Sequence, residues 1–149
     1  MSDIKIIPLT LDYLDAVCEV ELDSFSIPWT RASLKEEIDG HDPIRIYYGA
    51  LAGGELAGYA GMWHVVTEGH ITNVAVKSGF RRRGVGSRLM EALIKTANEK
   101  EMIGLTLEVR VNNHAAYALY NKYGFKVEGI RKNYYDDTKE DALVLWKYF

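Results

Sequence analysis

The chain predicts one α/β domain over residues 1–149, and three observations carry that prediction. Apolar residues recur with period two in some stretches and with helical period in others, and the two patterns alternate along the chain. Gly53-Gly54 separates two of the period-two stretches, which is the signal of a hairpin. The segment Val74-Ala75-Val76-Lys77-Ser78-Gly79-Phe80-Arg81-Arg82-Arg83-Gly84-Val85-Gly86-Ser87-Arg88-Leu89 reads as a strand, an arginine- and glycine-rich loop, and the opening of a helix.

Taken in order, Ile4 to Pro8 alternate and predict a first strand. Thr10 stands where it would cap a helix running from Leu11 to about Ser24, with Leu11, Leu14, Cys18, Leu22 and Phe25 on its apolar stripe. Pro28 breaks that helix and Thr30 caps the next one, with Trp29 and Leu34 spaced for a hydrophobic staple. Strands are expected over Ile44 to Leu51, Glu55 to Trp63 and Gly69 to Val76, an antiparallel meander. Gly58 and Gly61 interrupt the middle strand, as glycines do at a bulge or where another chain segment approaches closely. Val85, Leu89, Leu93 and Ala97, widened by Met90 and Ile94, give the helix after the loop a broad apolar face as far as about Lys100. Leu105, Leu107 and Val109 alternate with Thr106, Glu108 and Arg110 in a further strand. Asn112-Asn113 caps a last helix, which Gly124 ends with Phe125 set for a Schellman contact. Strands over Lys126 to Arg131 and Asp141 to Phe149 then flank a polar loop, 132–140.

Composition narrows the function. With 149 residues the chain is long enough for a proper core, and 48% hydrophobic and 26% charged residues are ordinary globular values. No apolar run reaches the roughly 20 residues of a membrane span. The opening Met-Ser-Asp-Ile-Lys-Ile-Ile-Pro has no apolar signal core, so a cytoplasmic location is expected. One cysteine, Cys18, allows no internal disulfide; it reads as a small core residue because no histidine stands near it in sequence. A net charge of −3 argues against nucleic-acid binding, which leaves Arg81, Arg82 and Arg83 as a local basic exception suited to a small polyanion. His41, His64, His70 and His114 lack metal-ligand spacing, and no metal is expected.

The loop itself is an ingredient set for phosphate. Amides at a helix N-terminus carry about half a positive charge, and glycines let an anion reach the backbone. A P-loop requires Lys-Ser/Thr after Gly84, where Val85-Gly86 stands; a dinucleotide fingerprint requires a small residue at Leu89. The remaining pattern is Arg81-x-x-Gly84-x-Gly86, placed after Val74-Ala75-Val76.

That pattern resembles the pyrophosphate loop of the GNAT N-acetyltransferases. The order of elements, Leu107-Glu108-Val109-Arg110 with Asn113, Ala118-Leu119-Tyr120, Tyr123-Gly124-Phe125, and Arg131-x-Asn133-Tyr134-Tyr135 resemble in particular the bacterial enzymes that acetylate the N-terminal alanine of a ribosomal protein. The resemblance implies a mixed, mainly antiparallel sheet of six to seven strands with helices on both faces, splayed to admit acetyl-CoA as co-substrate. It implies that Arg81, Arg82, Arg83, Gly84, Val85, Gly86 and Ser87 hold the diphosphate, and that Val74, Ala75 and Val76 pair with the pantetheine arm and offer an oxyanion amide. Asn113 and Tyr120 complete the cofactor site. Glu108 is then the general base and Tyr120 the proton donor to the leaving thiolate. The acceptor, a protein or peptide N-terminus, is expected between Pro28-Trp29 and Asn133-Tyr134-Tyr135, with no nucleic acid and no membrane involved. Read from the residues alone, Glu108 equally suits a solvent-facing strand position, and Tyr120 equally suits core packing beside Tyr117 and Tyr123. A small-amine or antibiotic acetyltransferase, or a non-catalytic acyl-CoA-binding module, shares the cofactor half of these motifs.

Overall fold

The computed structural model describes residues 3–149. Its strands are β1 (Ile4–Pro8), β2 (Arg45–Ala52), β3 (Glu55–Val65), β4 (Glu68–Val76), β5 (Gly104–Arg110), β6 (Lys126–Arg131) and β7 (Ala142–Tyr148). Its helices are α1 (Leu14–Ser24), α2 (Arg31–Ile38), α3 (Val85–Glu99) and α4 (His114–Lys122). All seven strands join one sheet in the order β1-β2-β3-β4-β5-β7-β6. Among the described residues every neighbouring pair is antiparallel except β4–β5. The mixed, mainly antiparallel sheet expected from the sequence is therefore the one observed.

Helices cover both faces. The broad stripe of α3, Val85, Leu89, Met90, Leu93 and Ala97, packs on one face with Met62, Leu105 and Leu107. On the other face Leu14, Val17 and Val20 of α1 and Leu34 and Ile38 of α2 pack with Tyr47 and Tyr59. Gly53 and Gly54 turn the β2–β3 hairpin with φ of 60° and 83°, a backbone that suits glycine. Gly61 and Gly58 mark close approaches: a Cβ on Gly61 would enter the ring of Tyr47, and one on Gly58 would come within 2.5 Å of the Ala75 carbonyl oxygen.

The start of the chain differs from the sequence reading. Leu11–Tyr13 forms a 3₁₀ turn ahead of α1, and the Thr10 side chain makes no cap; its carbonyl accepts from the Tyr13 amide at 3.0 Å instead. A 3₁₀ turn advances faster around the axis than an α-helix, so Leu11 falls out of phase with α1. The buried face of α1 is Leu14, Val17, Val20 and Glu21, whereas Leu11, Leu22 and Phe25 are exposed. Thr30 does cap α2, accepting from the Ser33 amide at 3.1 Å.

The single parallel pairing is the feature that positions the site. β4 and β5 are in register over Glu68↔Gly104, Gly69↔Leu105 and His70↔Thr106, and then part. A bulge on β4, where Gly61 pairs with Asn73 and Met62 with Ile71, adds twist at that point. The ends of β4 and β5 thus diverge into a cleft in the middle of the sheet.

Candidate active site

Two hollows fill this cleft. One, of 690 Å³, is lined by Val74–Val76 of β4 and by Arg81, Arg82 and Gly84–Ser87 of the loop into α3. The other, of 760 Å³, is lined by Glu108 and Arg110 of β5, by Asn73, and by residues of two loops. Ser24, Phe25, Val74, Asn113, Ala116 and Tyr120 border both, so the two hollows are continuous, with Tyr120 among the residues between them.

The first hollow is an anion cradle in backbone terms. Gly84, with φ of 80°, precedes α3 and contributes no side-chain cap. The first intrahelical bond of α3 is from Arg88 to the Gly84 carbonyl at 3.0 Å, which leaves the amides of Val85, Gly86 and Ser87 for a ligand. Arg82 also takes a left-handed φ, 64°, a conformation that costs a residue with a side chain on the order of 1 kcal/mol. Arg81 folds back, its Nε donating to the Val76 carbonyl at 3.1 Å. Arg83 stands outside the hollow's lining and lies over the Phe80 ring. Lys122, not singled out from sequence, donates to the Ser87 hydroxyl at 3.1 Å and adds a cation beside the cradle. These features fit a diphosphate: free amides, a helix N-terminus and basic side chains on one rim.

Tyr120 owes its position to the end of α4. Phe125 donates to the Tyr120 carbonyl at 3.2 Å and Gly124 to the Asn121 carbonyl at 3.0 Å, with Gly124 at φ 90°. This is the Schellman pattern, and its apolar contact is the Tyr120–Phe125 ring pair, 5.9 Å between centroids. At the other end of α4 the Asn113 side chain accepts from the Ala116 amide at 3.1 Å. Burial pushes the Tyr120 phenol well above its ordinary pKa, with Tyr135 adding to the shift. Glu108 is half-buried on β5, with Arg131 Nε 3.6 Å from its carboxylate.

The walls of the second hollow are tied together by ion pairs. Arg110 grips Asp137 with two bonds of 2.9 Å and lies 3.9 Å from the centre of the Tyr135 ring. The Ser26 hydroxyl donates to the same carboxylate at 2.6 Å, joining the 132–140 loop to the α1–α2 loop. Hydrogen bonds from Ser26 and Arg110 hold the Asp137 carboxyl down at about 2. Burial pushes the Tyr135 phenol up to about 12, against the Arg110 charge. Tyr134 packs edge-on against Tyr135, 5.1 Å between centroids.

Of the sequence candidates, Tyr134 and Tyr135 line this hollow, whereas Pro28, Trp29 and Asn133 do not. The α1–α2 wall is made instead by Phe25, Ser26 and Ile27, just before Pro28. Phe25 stands on the apolar stripe read for α1 yet is exposed, and Ser26 and Ile27 carry no sequence signal of such a role. Asn73 was missed because its neighbours Val74 and Val76 dominate the strand pattern. Among the described residues no group of histidine, cysteine and carboxylate side chains is arranged to hold a metal ion.

Comparison with known proteins gives one consistent result. A model described as the acetyltransferase (GNAT) family matches residues 14–125. A Bacillus subtilis (strain 168) protein, provisionally named ribosomal protein bS18-alanine N-acetyltransferase, is 42% identical over 138 residues, covering 93% of this chain and 91% of that protein. The ribosomal protein bS18-alanine N-acetyltransferase of Escherichia coli (strain K12) is 32% identical over 134 residues, 89% of this chain and 88% of that one. A crystal structure of the ribosomal-protein-S18-alanine N-acetyltransferase from Escherichia coli superposes with a TM-score of 0.90 at 30% identity, over 98% of this chain and 94% of that one.

Proposed function

The chain belongs to the GNAT acetyltransferase family, and from that membership and the geometry of the cleft we propose that it acetylates a protein N-terminus. The donor is acetyl-CoA, and the acceptor is the α-amine of the N-terminal alanine of ribosomal protein bS18, the substrate in the names of its relatives. The observation that carries this reading is that Tyr120 borders both hollows, with an anion cradle on one side and Glu108 on the other. A cytoplasmic site of action accords with that substrate, and no helix among the described residues is long and apolar enough to cross a membrane.

Acetyl-CoA supplies the acetyl group as a thioester, held by the amides of Val85 to Ser87, by Arg81 and Arg82, and along β4 from Val74 to Val76. Glu108 takes a proton from the acceptor amine, whose ordinary pKa of about 7.7 to 8.0 asks little of the base. As the amine nitrogen bonds to the carbonyl carbon, a β4 amide donates to the oxygen that gains charge. The C–S bond then breaks, Tyr120 gives its proton to the departing sulfur, and the second proton that the nitrogen loses in becoming an amide restores the Tyr120 phenol. Burial raises the pKa of this phenol, so Tyr120 is protonated when the sulfur departs.

Tyr134, Tyr135, Phe25 and Ile27 line the hollow in which the alanine and the peptide backbone would sit. The test is an acceptor screen by mass spectrometry. An Ala-initiated peptide is expected to be acetylated at its α-nitrogen in preference to polyamines and aminoglycosides; the reverse preference contradicts this assignment.

A further inference from the structure

Arg131 ends β6 and has no part in the reaction as described, yet a bulge in that strand decides which way it faces. β6 and β7 pair as Val127↔Leu145 and then as Gly129↔Val144, so Glu128 is an extra residue on β6. Had the first pairing continued, Ile130 would stand opposite Ala142; with the extra residue, Arg131 does. Successive residues of a strand face opposite ways, so the bulge exchanges an isoleucine for an arginine on that face. The face is the one that carries Glu108, because β7 in turn pairs Ala142 with Arg110 and Val144 with Glu108. Arg131 and Glu108 are thus two strands apart, about 10 Å by the usual strand spacing. Ala142, opposite Arg131 on the strand between them, is small enough for the arginine side chain to lie across β7. Arg131 Nε comes to 3.6 Å from Glu108 Oε2.

Among the described residues Arg131 is the one cation within ion-pair distance of Glu108. Arg110, two residues along β5, is taken by Asp137 and Glu140. Glu108 lines the 760 Å³ hollow and Arg131 does not, so the arginine meets the carboxylate without entering the space for the acceptor. The Arg131 guanidinium also lies over the Tyr134 ring, 5.5 Å from its centre, and Tyr134 lines the same hollow. With the Arg131 side chain 58% exposed and that of Glu108 30% exposed, the pair adds little to stability, so stability does not explain it. Resting on the reading of Glu108 as the general base, we propose that Arg131 is a positioning residue for that base. It holds the Glu108 carboxylate from the β6 side in the orientation that meets the acceptor amine. Through Tyr134 the same cation sets the base and one side of the hollow relative to each other.

The experiment is a double-mutant cycle of Arg131→Ala and Glu108→Gln, read as kcat for an Ala-initiated peptide, acetyl-CoA affinity by calorimetry, and melting temperature. Arg131→Ala alone is expected to lower kcat about tenfold, with acetyl-CoA affinity and melting temperature unchanged, and Arg131→Lys to recover part of the loss. In the Glu108→Gln background Arg131→Ala is expected to change kcat no further, since no base is left to position. An unchanged kcat in Arg131→Ala overturns the proposal. So does an equal loss in both backgrounds, which marks a role that does not pass through Glu108. If Arg131→Ala does not fold, Arg131→Gln takes its place in the cycle under the same criteria. If the Glu108→Gln background is too slow to read, the lysine variant decides, and a rate no better than that of Arg131→Ala overturns the proposal. Glu108→Gln with a near-wild-type rate defeats the base reading and this proposal with it. A wild type that acetylates small amines but not the peptide defeats the N-terminal reading alone, and the cycle is then run with that amine. A wild type that acetylates neither overturns both.

Discussion

Glu108 shows how a residue's role depends on the strand beside it. Its alternation with Leu107 and Val109 is what any half-exposed strand displays, and nothing in that alternation prefers a base over a solvated carboxylate. Parting of β4 from β5 after His70↔Thr106 turns that position from a sheet surface into the wall of a cleft. Glu108→Gln keeps the shape and removes the base, so kcat is expected to fall about a hundredfold or more with acetyl-CoA affinity intact, the usual magnitude for general-base catalysis. Steady-state rates over about pH 6 to 9 check it, and a near-wild-type profile makes Glu108 a surface residue. Asn73 and Glu21 were not legible in the same way. Both are polar residues in apolar surroundings, and counting hydrophobic spacing assigns them to the outside.

At the scale of elements, legibility followed the strength of the local signal. The Gly53-Gly54 hairpin, the Gly84 entry to α3 and the Gly124 end of α4 were all readable because each needs a left-handed backbone that glycine adopts freely. The buried face of α1 differs from the apolar stripe because a 3₁₀ turn shifts its phase and because a carboxylate, Glu21, stands on it. The α3 entry carries a prediction of its own. A side chain at Gly86 would come within 3.2 Å of Leu119 and crowd the amides of the cradle, so Gly86→Leu is expected to weaken acetyl-CoA binding more than tenfold by calorimetry. Undiminished affinity would remove the diphosphate from this loop. The two loops of the acceptor wall give another. Asp137 titrates at about 2 in the folded chain, below the ordinary carboxylate value of about 3.9. A lowered folded pKa stabilises above the unfolded value, and that stabilisation fades as pH falls from about 4 toward 2. Asp137→Asn is therefore expected to lower the melting temperature at neutral pH, with the gap from wild type closing as the solution is acidified below about pH 4. A gap that is constant with pH would mean that the carboxylate's charge is not what joins the loops.

The whole molecule is one sheet parted down its middle, with two hollows that meet in the parting. The order of strands and main helices was legible, the 3₁₀ turn at Leu11–Tyr13 being the departure. The parting was not, because it arises from two strands ceasing to pair and no residue of either strand announces that. Of the residues lining the larger hollow, Tyr134 and Tyr135 belong to a segment that the resemblance singles out, whereas Phe25 and Ile27 stand at the end of a helix stripe and carry no such mark. In the proposed reaction an amine from a protein N-terminus meets the thioester at Tyr120. Its most direct test is position-resolved mass spectrometry of full-length ribosomal protein bS18, bearing a free N-terminal alanine, after reaction with this protein and acetyl-CoA. A single acetyl group on the alanine α-nitrogen is expected, and acetylation confined to lysine side chains, or none at all, would contradict the assignment.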